Sequence, residues 1–202
     1  MKFKADNILG YGLYIISIFF FGFLFFNLTN LMWADESFTL YNIVMLPHAQ
    51  MMSNIFNDVH PFLYYFILHF VLHLLTALKV SFDPIILGRV VSLIPIGLLL
   101  IFNIMILRKE FNPLFAGIFS FSITSLPNFM YLGTTIRMYT WGFFFLTLGF
   151  FYAYKIISKP KKRYYIFLTL LSIMSLYTHY FSLYIIFCIY RECKLLWRFI
   201  KI

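Results

Sequence analysis

The chain has 202 residues, of which 62% are hydrophobic, 23% are aromatic and only 11% are charged. Soluble domains carry roughly 25% charged residues, so this composition excludes a fully water-exposed surface and indicates that lipid covers much of the protein. The net charge of +9 does not indicate a nucleic-acid partner, because the cations cluster in short loops between apolar runs, as the positive-inside rule describes. We expect a multi-pass protein of the cytoplasmic membrane.

Seven apolar runs follow one another along the chain, and the first is too long for the core of a signal peptide. Most of them approach the ~20 residues that cross a hydrocarbon core as a helix. The sequence therefore predicts a single all-α polytopic membrane domain over residues 1–202. The runs occupy residues 8–28, 61–78, 85–107, 113–132, 139–157, 164–178 and 180–197.

The basic residues indicate which runs cross the membrane. If Lys2 and Lys4 are cytoplasmic, the basic cluster at 155–163 belongs on the same side, so an even number of crossings must separate them. The first five runs give an odd number, and the run 61–78, which is short and contains two histidines, is the one that fits an interfacial helix. We predict about six transmembrane helices, two cytoplasmic termini, and an extracytoplasmic first loop at about 29–84 that contains juxtamembrane helices.

This topology also collects the unusual polar residues on the extracytoplasmic side, although none of them was used to derive it. Their convergence predicts a single polar site at the outer membrane surface. They are Asp35, Glu36, Asp58, His60, Arg89, Arg137 and His179.

Asp35 and Glu36 directly follow the first apolar run. Low dielectric and mutual repulsion at such a position favour a carboxylate that takes up a proton, as a general base does. The alternative is a solvated loop start in which Asp35 or Ser37 caps a short helix. Arg137 lies at the outer end of two apolar runs, where it either anchors in lipid phosphate or binds an anionic group inside the bundle.

Other polar residues have simple structural alternatives. Asp58 is placed to cap the helix that follows it, and Arg89 and His179 are of types that often anchor a span at the interface. His69 and His73 lie one helical turn apart and could pair on a metal ion, but no third ligand stands at helical spacing. Because the chain also lacks an Asp-x-Asp motif, we predict no metal site.

Five short motifs occur in a familiar order: Asp35-Glu36 after the first span, His60-Pro61-x-Leu63-Tyr64-Tyr65, Arg89 with Ser92, Arg137-Met138-Tyr139, and Thr178-His179-Tyr180. This order resembles the amino-terminal half of the C-type (GT-C) glycosyltransferases. The most similar branch is related to the protein O-mannosyltransferases and the lipid A aminoarabinose transferases. Those enzymes take a sugar from a polyprenyl-phosphate donor at the outer face of the membrane. The resemblance thus implies a GT-C-like amino-terminal module.

The resemblance also implies the roles of the residues and the partners of the protein. It makes the protein a glycosyltransferase for hexosyl or pentosyl units, with an extracytoplasmic acceptor and without a cofactor or a divalent metal ion. Asp35 would be the general base and Glu36 its catalytic neighbour. The substrate-binding residues would be His60, Tyr64, Arg89, Arg137, Tyr139 and His179.

Members of the resembled family continue for further spans beyond the length of this chain. We therefore expect either a shortened product or a protein that works with a partner membrane chain supplying the missing spans. Two functions of other classes remain open at this stage. One is a non-catalytic membrane protein that binds polyprenyl phosphate or lipid, or a flippase component, and the other is an ion-coupled transporter. The transporter fits less well, because its ionisable residues would lie inside the spans near the bilayer midplane.

Overall fold

The computed structural model describes the backbone of residues 2–29 and 31–200 and the side chains of residues 5–29 and 31–191. Within these residues the chain forms helices, turns and irregular segments without a strand, which confirms the all-α class. The side chains of Lys2 and Lys4, from which the topology was predicted, lie outside the described residues.

The helices follow one another with short connections. In chain order they are α1 (Lys2–Leu24, prolonged by a 3-10 turn at Phe25–Thr29), α2 (Ala34–Ser37, prolonged by a π-helical segment at Phe38–Val44), α3 (His48–Phe56), α4 (Leu63–Ala77), α5 (Pro84–Phe102, prolonged by a π-helical segment at Asn103–Leu107), α6 (Arg108–Glu110), α7 (Pro113–Ser125), α8 (Pro127–Gly133), α9 (Tyr139–Ser158), α10 (Lys162–Leu176) and α11 (Ser182–Ile200).

Three described segments are long and apolar enough to cross a membrane, namely Ala5–Thr29, Pro84–Glu110 and Tyr139–Ser158. The pair α7 and α8 makes a fourth if the two helices, which are bent by 65°, form one broken span. The bend follows from Pro127, because a proline has no N–H to donate and forces the preceding residue out of the helical conformation. The predicted count of about six spans is therefore corrected to three, or to four with the bent pair, within the described residues.

Helix length explains most of this difference. α10 has 15 residues, about 22 Å of helix, which is shorter than the ~30 Å hydrocarbon core. α11 has 19 residues, Ser182–Ile200, but the count of spans covers only its part with described side chains, Ser182–Arg191, which is a short apolar helix. α4 has the same length of 15 residues, which fits the prediction that the run 61–78 does not cross. Its position at the interface stays a prediction.

Large apolar side chains on the outside of the helices support the membrane assignment. Phe19 and Phe26 of the first span are 75% and 76% exposed, and Phe70 and Phe187 are each 65% exposed. A water-soluble protein rarely leaves so many aromatic rings uncovered, because each exposed apolar surface costs hydration free energy. Such an apolar surface is stable when it is in contact with lipid.

The predicted first loop folds into a compact helical layer. Its π-helical segment, α3 and α4 pack together around a core that includes Leu40, Val44, Met51, Tyr65 and Leu68, all of them buried. This core continues to α5 and to the segment before α9, so it fixes the first loop against the bundle. The loop is therefore a platform on which polar side chains can be held in place.

The bundle has two distinct ends. At one of them, Arg108 Nη1 donates a hydrogen bond of 2.9 Å to the hydroxyl of Tyr11, and Lys155 forms an ion pair with Glu110. We call this the basic end. The opposite end holds the carboxyl end of α1, the amino ends of α5 and α9, and the first-loop layer. We call it the site end, because the predicted site residues lie there.

α10 and α11 extend the same antiparallel arrangement. The rings of Tyr152 and Phe167 stack with their centroids 4.9 Å apart, and Ser175 Oγ lies 3.4 Å from the carbonyl oxygen of Gly142. α10 therefore runs back along α9 and ends near the site end. α11 then returns, since Thr169 Oγ1 lies 3.3 Å from the hydroxyl of Tyr190.

Candidate functional site

Glu36 and Arg89 form a buried ion pair at the site end. Glu36 Oε1 accepts a hydrogen bond of 2.9 Å from Arg89 Nε, and Oε2 accepts one of 2.9 Å from Arg89 Nη2. The same carboxylate accepts the backbone N–H of Trp33 at 2.9 Å and that of Ile136 at 2.8 Å. Both charged side chains are almost fully buried, at 1% and 2% exposure. Four donors therefore occupy the carboxylate of Glu36.

This ion pair joins several segments of the chain at the site end. Arg89 also donates to the carbonyl oxygens of Leu28 at 2.7 Å and Leu31 at 3.2 Å, so the pair joins the end of α1, α2, α5 and the segment before α9. Burial raises the pKa of Glu36, but hydrogen bonds from Arg89 and from two backbone N–H groups outweigh it, and the pKa lies below its usual range. Glu36 was predicted to be catalytic and Arg89 to bind substrate. Their burial and their hydrogen bonds favour a positioning role, and the catalytic and substrate-binding roles stay predictions.

Asp35 points the other way from its neighbour. Its side chain is 76% exposed, and one carboxylate oxygen lies 3.6 Å from Nη2 of Arg137. The carboxylate opens into a cavity of about 270 Å³ at the site end. The cavity is lined by Trp33, Ala34, Asp35, Glu36, Tyr131, Leu132, Thr135, Arg137 and Tyr139.

Arg137 is the centre of the site. Its side chain is 12% exposed, and its Nη2 lies 3.1 Å from Nε2 of His60 as well as 3.6 Å from Asp35. Because a guanidinium has only donors, His60 Nε2 is the acceptor, and the imidazole is neutral with its proton on Nδ1. Desolvation and the charge of Arg137 both lower the pKa of His60, which agrees with this assignment. The guanidinium also lies 5.8 Å from the ring centre of Tyr139.

His179 comes to the same place from the α10–α11 turn. Its ring lies 6.2 Å from that of His60 and 5.4 Å from that of Tyr139. His179 Nδ1 accepts the backbone N–H of Phe181 at 3.2 Å, which leaves Nε2 as a proton donor for a ligand. Desolvation, followed by the neighbouring His60 and Arg137, lowers the pKa of His179. Both histidines are thus held neutral beside one cation.

The backbone that carries Arg137 is fixed to α5. Ser92 Oγ lies 3.4 Å from the carbonyl oxygen of Arg137, and Thr140 Oγ1 donates to the carbonyl oxygen of Ser92 at 2.6 Å. Trp141 Nε1 donates to the carbonyl oxygen of Val91 at 3.1 Å. A guanidinium on a segment with so many fixed contacts is pre-organised, which lowers the entropy cost of binding an anion.

Two other predictions need correction. Tyr64 was predicted to bind substrate, but it is 1% exposed and its hydroxyl lies 2.8 Å from Ser92 Oγ in the core. Asp58 was placed as a cap of the following helix, but it accepts the hydroxyl of Tyr65, and α4 begins at Leu63 without a side-chain cap. Burial, followed by the contact with Asp58, raises the pKa of Tyr65.

Five residues that line the cavity had no predicted role, namely Trp33, Ala34, Tyr131, Leu132 and Thr135. The rings of Trp33 and Tyr131 meet edge to face with centroids 5.6 Å apart and form an aromatic wall. Trp33 stands two residues before Asp35, so its proximity to the carboxylate was a usable signal. No sequence signal indicated Tyr131 or Thr135, because their approach to the cavity depends on how the chain turns after α8.

The described residues contain no group of three or more His, Cys, Asp or Glu side chains placed to hold a metal ion. The rings of His69 and His73 lie 4.0 Å apart, and Nδ1 of His69 is 2.8 Å from the carbonyl oxygen of Val44. The cavity combines one accessible carboxylate, one guanidinium and aromatic rings, and two neutral imidazoles lie beside the guanidinium. Such a set can bind an anion and accept a proton from a neighbouring hydroxyl group.

Comparisons with known proteins add no relative to this description. No protein-family model matches the chain, and neither the curated proteins nor the solved structures contain a significant match. Any assignment of function therefore rests on the site and on the motifs that form it.

Proposed function

We propose that this protein is an outer-face glycosyltransferase of the GT-C kind, or the membrane half of one, that transfers a sugar from a polyprenyl-phosphate donor to an extracytoplasmic acceptor. One observation carries the proposal. The exposed carboxylate of Asp35 and the guanidinium of Arg137 face one cavity 3.6 Å apart, although 102 positions separate them in the chain (137 − 35). A base and an anion-binding group side by side are what sugar transfer from a phosphate requires.

The reaction follows from these two groups. The hydroxyl oxygen of the acceptor attacks the anomeric carbon, and its proton passes to the carboxylate of Asp35. The bond between the anomeric carbon and the phosphate oxygen breaks, and the electron pair stays on the leaving phosphate. Arg137 stabilises that phosphate, because a guanidinium fork matches two phosphate oxygens.

The other site residues would orient the donor. His179 Nε2 and His60 Nδ1 are proton donors near Arg137, and they can hydrogen-bond to phosphate or sugar oxygens. Trp33 and Tyr139 line the cavity, and their faces can pack against a sugar ring. The volume of about 270 Å³ lies close to the lower limit of roughly 300 Å³ for small-molecule sites, so the cavity suits one sugar rather than an oligosaccharide.

The orientation in the membrane is part of the proposal. The basic end carries Arg108 and Lys155 and would face the cytoplasm, while the site end would face outwards. The first-loop helices α2 to α4 would then form an extracytoplasmic layer. Because α11 runs back from the site end, the carboxyl terminus would share the cytoplasmic side with the amino terminus.

Asp35→Asn tests the assigned base. We expect the variant to lose sugar transfer by about 100-fold or more, which is the usual contribution of a general base, while it still folds and inserts. The measurement is the release of polyprenyl phosphate from a panel of polyprenyl-phosphate hexoses and pentoses, in proteoliposomes supplied with envelope acceptors. Asp83→Asn is the matched control, since Asp83 is an exposed cap of α5 outside the cavity and asparagine caps equally well.

Two outcomes would change the assignment. Full transfer by Asp35→Asn would show that the base lies elsewhere. Binding of the carrier lipid by the wild type and by Asp35→Asn, without turnover in either, would instead identify a polyprenyl-phosphate-binding or flippase-type protein. The same assay with native membranes added tests for a partner chain. If the protein needs such a partner, turnover should appear only after the native membranes are added.

A further inference from the structure

A second cavity lies at the basic end, away from the site. It measures about 350 Å³ and runs between α7 and α9. Its wall is almost entirely aromatic or aliphatic, and only Thr147 and Tyr154 carry a hydroxyl group. It is formed by Leu107, Phe111, Phe115, Phe119, Phe143, Thr147, Phe150, Phe151 and Tyr154.

The cavity is elongated along α9. Its lining residues on α9 extend from Phe143 to Tyr154, which are 11 positions apart and so about 16 Å along the helix. One leaflet contributes half of the ~30 Å hydrocarbon core, or about 15 Å. The cleft therefore matches the depth of a single leaflet, and a linear hydrocarbon chain fits this shape better than a folded protein segment.

The mouth of the cleft has a surplus of positive charge. Its end is formed by the segment from Leu107 to Phe111, which carries Arg108, Lys109 and Glu110 between two lining residues. The charge of Glu110 is matched by its ion pair with Lys155, so Arg108 and Lys109 remain as the excess cations. Lys109 is exposed.

Arg108 adds a second observation at this mouth. Its Nη1 donates to Tyr11, but its buried Nε has no hydrogen-bond partner among the described residues. A buried guanidinium N–H without an acceptor is unfavourable, so an anionic oxygen that approaches it would gain free energy. The segment at this mouth thus carries two cations beside an apolar slot, although neither of them lines the slot itself.

We propose that this cleft binds one acyl chain of an anionic glycerophospholipid, whose phosphate lies against Arg108 and Lys109. The inference uses none of the site residues, and it rests on the proposed function only through the orientation of the basic end. In the orientation proposed above, the basic end lies in the cytoplasmic leaflet, where anionic lipids are concentrated. The lipid would fill the gap between α7 and α9 and hold the two helices at a fixed spacing.

The test uses phosphatidylglycerol with a diazirine in one acyl chain, incorporated into phosphatidylcholine vesicles that contain the full chain. We expect photolabelled peptides from the cleft, around Phe115 and Thr147, and weaker labelling by phosphatidylcholine that carries the same diazirine. Thr147→Trp fills the cleft and should abolish this labelling, whereas Phe19→Trp on the exposed side of α1 should leave it unchanged.

Lys109→Gln tests the headgroup contact without a risk to folding, because the side chain is exposed. The variant should lower phosphatidylglycerol labelling of the cleft by about fivefold, the effect of one cation beside an anionic lipid, and Lys162→Gln should not. Equal labelling by the two lipids overturns the proposal, and so does labelling that persists in folded Thr147→Trp. A crosslink between two copies of the chain inside the cleft would also overturn it and assign the surface to self-association.

Discussion

Glu36→Gln separates the two neighbouring carboxylates of the site. Glutamine keeps the shape of glutamate, but one of its terminal atoms is a donor instead of an acceptor. In either amide orientation, the new NH₂ group faces an N–H of Arg89 and a backbone N–H, from Trp33 or from Ile136. The substitution therefore breaks two hydrogen bonds and removes the carboxylate charge that faces the buried guanidinium of Arg89.

The expected magnitude is large. Removing one partner of a buried ion pair costs about 3–5 kcal/mol, because the remaining charge is uncompensated. Glu36 and Arg89 are 1% and 2% exposed, so water cannot replace the lost contact. A folded domain is stable by only about 5–15 kcal/mol, and the variant would lose a large share of this free energy.

The assay is denaturant unfolding of the purified protein in detergent micelles, compared with Asp35→Asn. Asp35 is 76% exposed and its nearest cation is 3.6 Å away, so its neutralisation should cost no more than about 1 kcal/mol. The double variant Glu36→Gln/Arg89→Met removes the buried cation as well and should recover part of the stability that Glu36→Gln loses. A loss below about 1 kcal/mol for Glu36→Gln, or one equal to that of Asp35→Asn, would refute the positioning role.

Two further predictions concern packing and pH. Gly10→Ala should destabilise the protein by about 1–3 kcal/mol, because a Cβ at this position would lie 2.6 Å from the backbone nitrogen of Leu114. Gly12→Ala, where no atom lies within 4 Å, should be neutral or stabilising in the same unfolding assay, and equal losses would contradict the close helix contact. The lowered pKa values of His60 and His179 mean that the folded state binds fewer protons than the unfolded state, so the free energy of unfolding should fall as the pH drops below about 6.5. His60→Gln/His179→Gln should flatten this dependence, and an unchanged slope would show that neither histidine causes it.

Most of the site residues were predictable because polar and charged side chains are rare beside the apolar runs of this chain. In a chain with 11% charged residues, an acid after the first span or an arginine at an outer helix end stands out against the apolar background. Asp35, His60, Arg137 and His179 were selected in this way and Tyr139 through the family resemblance, and the structure brings all five together. Their shared position follows from chain direction, since each lies at the same end of an alternating set of helices.

The division of roles between these residues was not predictable. Asp35 and Glu36 are neighbours with the same chemistry, and only the position of Arg89 decides which carboxylate is buried. Tyr64 stands beside Tyr65 in one motif, yet one hydroxyl contacts Ser92 and the other contacts Asp58. Ser92 lies 28 positions after Tyr64, and Asp58 lies 7 positions before Tyr65, so the short motif that contains the two tyrosines includes neither partner.

The sequence by itself determined that this is an all-helical membrane protein with its unusual polar residues at one end. Composition and charge placement are sufficient for that, because lipid and water impose different side chains on every surface segment. Only the tertiary structure decided how many helices are long enough to cross, where α7 breaks from α8, and which carboxylate is free. These features depend on helix ends and on contacts between distant segments, and such contacts are fixed when the helices pack against one another.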